Sequence, residues 1–245
     1  MSGFKYGNQI ITDDKVYNVK DAVRMEIRFF QDDGDTESKS VSMDYSGFLK
    51  LLPEKSEFDH LGIAVIPADF DQFRQIPSLC LCKSCDVQIG FPVAIIGYQS
   101  EYKNLALKTG IISSFYKNSK GLSFIQFDGT VKPGNSGAPL LHLDTGHVIG
   151  VLLHREFNNS KSFKEIMEII DGNLKVLKEL EGKSNFFDVD LAQVLYASQS
   201  QIKYMAKEFS QNAIIRAGIA LEIGHVSEYM ETKMELDADT SSSCD

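Results

Sequence analysis

Residues 127–140 read Phe-Asp-Gly-Thr-Val-Lys-Pro-Gly-Asn-Ser-Gly-Ala-Pro-Leu. Glycines flank Ser136 in this segment, so the chain can form a tight turn that exposes the serine hydroxyl. The backbone N–H groups of such a turn point inward and can stabilise the oxyanion of a tetrahedral intermediate. The segment therefore predicts a serine nucleophile at Ser136 and an oxyanion hole at Gly134, Asn135 and Ser136.

Short runs of β-forming residues surround this segment as far as about residue 155. Glycine, proline, asparagine and aspartate separate the runs, which is typical of antiparallel barrels and sandwiches. The predicted strands span residues 2–6, 8–12, 23–30, 38–44, 62–66, 92–98, 106–116, 122–127, 138–143, 147–153 and, after a helical stretch, 217–223.

The helical stretch begins after residue 160. Apolar residues recur every three or four positions over 162–180, which predicts an amphipathic helix. A second helix is predicted to begin at Asp190, a good N-cap residue, and to end near residue 209. We expect a helical hairpin packed on the β domain, followed by a short helix over 226–234. The hairpin either covers a cleft, presents a partner surface or only stabilises the fold.

The composition excludes several classes of function. The chain has 245 residues, of which 43% are hydrophobic and 24% charged, as in soluble globular proteins. A net charge of −9 without a basic stripe argues against binding to nucleic acid or to an anionic membrane. The sequence shows neither an apolar run long enough to span a membrane nor a start typical of signal peptides, which predicts a cytoplasmic location.

The cysteines do not indicate a disulfide framework. Cys80, Cys82 and Cys85 crowd together and Cys244 stands alone near the end of the sequence. Three cysteines within six residues resemble a zinc site, but structural zinc usually takes four ligands. We therefore expect ordinary thiols and no bound metal.

The segment 134–140, Gly-Asn-Ser-Gly-Ala-Pro-Leu, resembles the nucleophile loop of trypsin-like serine proteases, especially those of the high-temperature-requirement type. Segments 94–98, 108–113, 146–151 and 217–223 are similar to other strands of that family and follow in the same order. The resemblance covers roughly residues 2–155 and 215–230. It implies a mainly β fold of two six-stranded antiparallel barrels. Only five predicted strands precede residue 92, so the first barrel is expected to lack its opening strand.

The resemblance also implies a division of the chain into domains. The first, partial barrel is expected over residues 1–78 and a connection over 79–91. The second barrel is expected over 92–234, with the helical insertion at about 160–212. An acidic, serine-rich tail over 235–245 is expected to be disordered.

The family's histidine and aspartate are missing from the positions that match its motifs. Residues 10–16 read Ile-Ile-Thr-Asp-Asp-Lys-Val, so Lys15 stands where the resemblance implies the general base. Gly62 stands where the orienting aspartate is expected, directly before the strand Ile-Ala-Val-Ile. Asp59, three residues upstream, would need a local bulge to take its place.

The resemblance further implies a substrate cleft. Thr130 lies six residues before Ser136, where the family often sets the base of its specificity pocket. Val151, Leu152, Leu153 and His154 match the strand that borders this pocket, and His154 is the histidine expected nearest Ser136. The other histidines are interpreted as ordinary structural or surface residues: His60, His142, His147 and His225.

These observations predict a catalytically impaired homologue that binds a protein or peptide. A serine without a base is a poor nucleophile, and removing the histidine of subtilisin lowers turnover about a millionfold. No cofactor is expected, because acyl transfer by serine needs none. The alternative is an active serine endopeptidase in which Lys15 or a displaced histidine is the base, although Asp13 and Asp14 beside Lys15 favour its charged form. A third interpretation is a scaffold that uses the helical hairpin.

Overall fold

The computed structural model describes residues 1–52, 61–82, 85–153, 161–183, 185–187, 189–212 and 215–231. The chain divides into two compact units, one comprising Met1–His154 with Ile215–Asp245 and the other Arg155–Ile214. The first unit is mainly β and contains a closed six-stranded barrel, which confirms the predicted fold class. The expected tail over 235–245 lies outside the described residues.

The elements follow one another in the order that the sequence predicts, with several short additions. In chain order they are β1 (Gly3–Tyr6), β2 (Gln9–Asp13), β3 (Arg24–Phe30), β4 (Glu37–Asp44), α1 (Tyr45–Leu51), β5 (Ile63–Pro67), β6 (Pro92–Gln99), β7 (Asn104–Lys117), β8 (Ser123–Val131), β9 (Pro139–His142), β10 (Val148–Leu152), α2 (Lys161–Glu179), β11 (Asn185–Phe186), β12 (Val189–Asp190), α3 (Leu191–Asn212), β13 (Ile215–Glu222) and α4 (223–231).

The barrel closes in the order β10-β13-β8-β7-β6-β9, with antiparallel neighbours throughout. Successive side chains of a strand point to opposite faces of a sheet. Accordingly, Val93 and Ile95 pack with Ile125 and Phe127 in a cluster to which all six strands contribute, and this cluster fills the barrel interior. Ala94, between them, belongs to a different cluster on the outer face.

The N-terminal half contains the five predicted strands, but they do not close into a ring within the described residues. β1, β2 and β5 form one sheet, and β3 and β4 form a separate hairpin. The hairpin buries alternate residues, with Met25 opposite Met43 and Ile27 opposite Val41. The hairpin packs against the three-stranded sheet through a shared apolar cluster.

The N-terminal sheet and the barrel share one apolar core. Phe4, Ile11 and Val65 from the sheet pack in the same cluster as Val148 and Leu221 of the barrel. Because buried apolar surface is the main favourable term in folding, this common cluster joins the two halves of the first unit. The nucleophile loop connects β8 to β9 on the chain and so begins and ends in the barrel.

The connection between the two halves carries a disulfide that the sequence analysis did not predict. Cys82 and Cys85 are bonded to each other, with Cα atoms 5.8 Å apart, and Cys80 is an exposed thiol. The expectation of three ordinary thiols was therefore wrong for two of them.

Two further properties concern the part of the chain that the structure describes. It contains no cluster of three or more histidine, cysteine, aspartate or glutamate residues that could hold a metal ion. None of the described helices is long and apolar enough to cross a membrane.

The second unit is the predicted helical hairpin, formed by α2 and α3. Asp190 caps α3, because its Oδ1 atom accepts a hydrogen bond from the Ala192 N–H at 3.0 Å. Its Oδ2 atom accepts from the Gly182 N–H at 2.6 Å and so fixes the connection between the helices. The predicted N-cap at Asp190 is confirmed.

Candidate active site

The nucleophile loop consists of two consecutive tight turns. In the first, the Asn135 N–H donates to the Lys132 carbonyl oxygen at 3.1 Å, and in the second the Ala138 N–H donates to the Asn135 carbonyl oxygen at 3.0 Å. The third residue of each turn is a glycine with positive φ, Gly134 at 101° and Gly137 at 84°. Type II turns require a positive φ at this position. The two glycines of the motif therefore shape the loop.

The side chain of Asn135 anchors the loop from inside the protein. It is fully buried, and its Oδ1 atom accepts hydrogen bonds from Lys108 Nζ at 2.9 Å and from the Lys132 N–H at 2.8 Å. Its Nδ2 atom donates to the Tyr98 carbonyl oxygen at 2.9 Å. Burial, and secondly the charge of Lys132, lower the pKa of Lys108 below its ordinary value. Asn135 therefore ties the loop to β6 and β7.

Ser2 holds the loop from the side of the N-terminal sheet. Its N–H donates to the Ser136 carbonyl oxygen at 2.7 Å, and its hydroxyl donates to the Gly134 carbonyl oxygen at 2.6 Å. The same hydroxyl accepts from the Tyr98 N–H at 2.8 Å. The sequence analysis missed this residue, because its partners lie about a hundred or more positions away and no local pattern marks it.

Two of the three predicted oxyanion-hole residues keep an available N–H. Among the described residues, no protein atom accepts a hydrogen bond from the N–H of Gly134 or of Ser136. The Pro133 carbonyl oxygen accepts from the Ser100 N–H at 3.3 Å, so the N–H of the same trans peptide, that of Gly134, points to the opposite side. The N–H of Asn135 is already used within its turn, so Asn135 supports the loop and does not contribute this donor.

The hydroxyl of Ser136 donates a hydrogen bond to a carboxylate. Its Oγ atom lies 2.5 Å from Oδ2 of Asp13, a length typical of a charge-assisted O–H···O⁻ bond. Asp13 is only 2% exposed. The sequence analysis considered Asp13 only as a neighbour of Lys15, because the family's motif directs attention to the position two residues later.

Lys15 does not reach Ser136. A short 3-10 helix, Asp14–Tyr17, begins directly after β2, and Asp13 caps it by accepting from the Lys15 N–H at 2.9 Å. This turn directs the carboxylate of Asp13 inward and leaves Lys15 exposed. Of the two residues, it is therefore Asp13 that the fold brings to the nucleophile.

A side chain at residue 62 would contact Leu153, the residue that follows β10. The φ of Gly62 is 76°, and its carbonyl oxygen accepts from the Asp14 N–H at 3.2 Å. A Cβ atom on Gly62 would lie 3.3 Å from Cδ1 of Leu153. This position therefore provides no carboxylate and faces an apolar side chain. Asp59, the predicted substitute, lies outside the described residues.

The predicted substrate-binding residues are dispersed. Thr130 is exposed on β8, whereas Val151 and Leu152 are buried in the core and do not present their side chains to a ligand. The backbone of Leu152 pairs with the nucleophile loop, accepting from the Gly137 N–H at 2.7 Å. Leu153 is half-buried, and His154 lies outside the described residues.

The described histidines have no contact with Ser136. The His142 ring packs against Phe91, with centroids 4.4 Å apart, and His147 is half-buried beside the β9–β10 turn. His225 accepts from the Ser123 N–H through Nε2 at 2.8 Å. His60, like His154, lies outside the described residues.

The Ser136→Ala variant is expected to lose about 1.5–3 kcal/mol of unfolding free energy, because a buried carboxylate loses a charge-assisted hydrogen bond. The measurement is urea unfolding followed by far-ultraviolet circular dichroism. Ser113→Ala is the matched control, since Ser113 donates only to a neutral carbonyl, that of Gln126, at 3.2 Å. Equal stability losses in the two variants would contradict a structural role for the Ser136–Asp13 bond.

The fold and the loop together define a class of protein. A closed six-stranded antiparallel barrel that carries a Gly-x-Ser-Gly turn is the architecture of trypsin-like serine peptidases and their homologues. The family described as "Trypsin-like peptidase domain" matches residues 2–151, more than half of the sequence. The chain belongs to this family, and its relatives are of the HtrA type.

Three similar proteins illustrate the relationship. Zebrafish serine protease HTRA1A is 34% identical over 114 residues, which cover 44% of this chain and 22% of that protein. Bovine mitochondrial serine protease HTRA2 is 35% identical over 113 residues, which cover 41% of this chain and 24% of that protein. Among solved structures, the HtrA-type protease AlgW with a decapeptide matches with a TM-score of 0.44 and 23% identity, covering 65% of this chain and 42% of that one. The chain thus matches less than a quarter of the length of these two curated relatives.

Proposed function

We propose that this protein is a trypsin-like protease homologue with impaired catalysis, which acts as a peptide-binding or protein-binding module. The observation that carries the proposal is the hydrogen bond from the Ser136 hydroxyl to the Asp13 carboxylate at 2.5 Å. In catalysis by this family the serine hydroxyl is hydrogen-bonded to an imidazole, which takes its proton.

A carboxylate is a weaker replacement for that imidazole. In this family the imidazole is the general base that takes the serine proton and later passes it to the leaving group. A hydroxyl that donates to a carboxylate is held in place with its proton, and the oxygen remains a poor nucleophile. The exposed Lys15 and the absence of a carboxylate at Gly62 agree with this conclusion.

The same loop retains features that suit ligand binding. The N–H groups of Gly134 and Ser136 have no acceptor among the described residues, and both belong to a loop that is fixed on two sides by Asn135 and Ser2. Paired backbone donors of this kind bind a peptide carbonyl or a terminal carboxylate. The loss of a base leaves this recognition intact.

A fluorophosphonate probe tests the state of Ser136. We expect the purified protein to react no faster than its Ser136→Ala variant, because the hydroxyl lacks an efficient base. Unfolded casein should likewise remain intact under conditions in which an active trypsin-like enzyme degrades it. Labelling of the parent protein that disappears in Ser136→Ala would contradict the proposal.

The competing function is an active serine endopeptidase. Membership of the family and the two available N–H groups favour it, and Lys15 or a histidine outside the described residues would then be the base. If the parent protein is labelled, the variants Lys15→Gln, His60→Gln and His154→Gln separate these three candidate bases. A cytoplasmic location also stays a prediction, which fractionation of the cells that make the protein would test.

A further inference from the structure

Helix α2 carries two apolar stripes with heptad spacing. The first is buried or half-buried; it consists of Phe163, Met167, Ile170, Leu174 and Leu177. The second is exposed and repeats the same alternation of three and four residues; it consists of Ile166, Ile169, Asn173, Val176 and, just beyond the helix, Leu180. A helix that packs on one neighbour needs only one such stripe. The second stripe of α2 therefore lacks a partner within the helical unit.

Helix α3 also carries an exposed stripe, but its less exposed side consists of small and polar residues. Ala192, Gln199, Lys203 and Ala206 are buried or half-buried on one side, and Lys203 pairs with Asp171 of α2. An exposed stripe again follows heptad spacing; it consists of Leu191, Leu195, Ser198, Ile202, Met205 and Phe209. All its members except Ser198 are large and apolar.

The two exposed stripes lie on the same side of the hairpin. One residue corresponds to a rotation of 100° about the axis of an α-helix. In both helices the exposed stripe lies one residue before the less exposed side along the sequence. Each exposed stripe is therefore rotated by roughly 100° from that side, in the same direction in both helices. The two helices of a hairpin are antiparallel. An equal displacement in the same direction then brings both stripes to one side, where they form a continuous surface that we call the heptad face.

The centre of the heptad face is polar. Asn173 occupies the middle of the α2 stripe, and Ser198 lies near the middle of the α3 stripe. The helices are antiparallel and Asp171 pairs with Lys203, so Asn173 and Ser198 lie at similar heights along the hairpin. A two-fold axis through the centre of a face brings its central residues against those of the second copy. Polar residues at such positions fix register and association state in helical assemblies.

We propose that the heptad face is a self-association surface that packs on the same face of a second copy of this chain in a four-helix arrangement. Heptad spacing calls for a helical partner, and a two-helix face is complementary to a second two-helix face. Two helices of about 20 residues side by side cover roughly 30 Å by 20 Å, so the pair would bury about 1,200 Å² in total. That area is at the lower limit for stable, specific association.

Sedimentation equilibrium of the full chain tests the proposal. Between about 1 and 100 µM the parent protein should shift from monomer to dimer, in the range expected for an interface of this size. Ile202→Glu, which places a charge at a position that is 42% exposed within the heptad face, should weaken association at least about tenfold. Tyr204→Glu is the matched control, because Tyr204 is 66% exposed on the opposite side of α3 and its replacement should leave the dimer unchanged.

A milder variant and a folding check complete the experiment. Leu195→Gln should also weaken the dimer while changing no charge, and far-ultraviolet circular dichroism should show parent-like helicity for all variants. A parent protein that stays monomeric at about 100 µM would overturn the proposal. So would a dimer that Ile202→Glu and Leu195→Gln leave intact, or one that Tyr204→Glu weakens equally.

Discussion

The Gly137→Ala variant is expected to lose about 3–5 kcal/mol of unfolding free energy, the largest effect predicted for this protein. A Cβ atom at residue 137 would lie 2.2 Å from the Ser2 carbonyl oxygen and 2.5 Å from Oγ1 of Thr12. These atoms cannot move independently, because Thr12 Oγ1 donates to that same carbonyl at 2.5 Å and the Ser2 N–H is bonded to Ser136. Relief would require β1 to separate from the nucleophile loop.

Gly146→Ala is the matched control for this variant. Gly146 also has a positive φ, 70°, but nothing lies within 4 Å of the position that a Cβ atom would take. Its replacement should therefore show only the backbone penalty, about 1–2 kcal/mol. Urea unfolding of both variants, followed by circular dichroism and tyrosine fluorescence, measures the difference. Equal losses would mean that crowding by Ser2 and Thr12 does not restrict residue 137.

The packing of Gly137 gives the Gly-x-Ser-Gly motif a second role in this protein. The Gly-x-Ser-Gly pattern was interpreted as a turn that exposes a nucleophile. In the structure, Gly137 is equally a point of close packing between the loop and the N-terminal sheet. We therefore expect the motif to stabilise the fold whether or not Ser136 reacts, and its presence in the sequence is not by itself evidence of catalysis.

The elements of regular structure were predictable from local patterns. Alternating residues such as Met25, Ile27 and Phe29 indicate one buried face of a strand, and the structure places them there. The three- and four-residue spacing over 162–180 likewise predicted α2, and Asp190 predicted the start of α3. These features depend on neighbours in the sequence, which is why a single chain is enough to predict them.

Features that depend on distant contacts were not predictable. Ser2 meets the nucleophile loop across more than 130 positions, and no local pattern marks it. Helix α1 has only seven residues, includes Gly47 and buries only Phe48, so its periodicity is too short to detect.

The motif drew attention to Lys15, whereas the helical turn that begins after β2 directs Asp13 to Ser136. In β2 the residues from Ile10 to Asp13 are all buried, so alternation could not show which of them faces the loop.

The family's motif predicts where the serine lies, but the identity of its partner follows from a 3-10 helix of four residues, Asp14–Tyr17. Under the proposed function, the carboxylate of Asp13 stands in place of the family's base, and its hydrogen bond with Ser136 holds the loop. Under the same proposal the loop serves binding, and we expect mutations in it to change mainly the stability of the protein.

Asn135→Ala is the second variant with a large expected effect, a loss of about 2–4 kcal/mol of unfolding free energy. The buried amide of Asn135 makes three hydrogen bonds, to Lys108, to the Lys132 N–H and to the Tyr98 carbonyl oxygen. Alanine removes all three and leaves the groups that they satisfied without a partner inside the loop. The loss should exceed that of Ser136→Ala, because more buried polar groups are affected.

Asn118→Ala is the control for this prediction. Asn118 also accepts two backbone hydrogen bonds, from Lys120 and Leu122, but it lies in the surface turn between β7 and β8, where water can replace the lost partner. Its replacement should lower the free energy of unfolding by about 1 kcal/mol.

Binding of a labelled peptide to Asn135→Ala gives a second measurement, because a loop without its anchor should no longer present the N–H groups of Gly134 and Ser136 together. An Asn135→Ala protein with the stability and peptide affinity of its parent would show that other contacts hold the loop. Such a result would contradict the proposed link between loop rigidity and ligand binding.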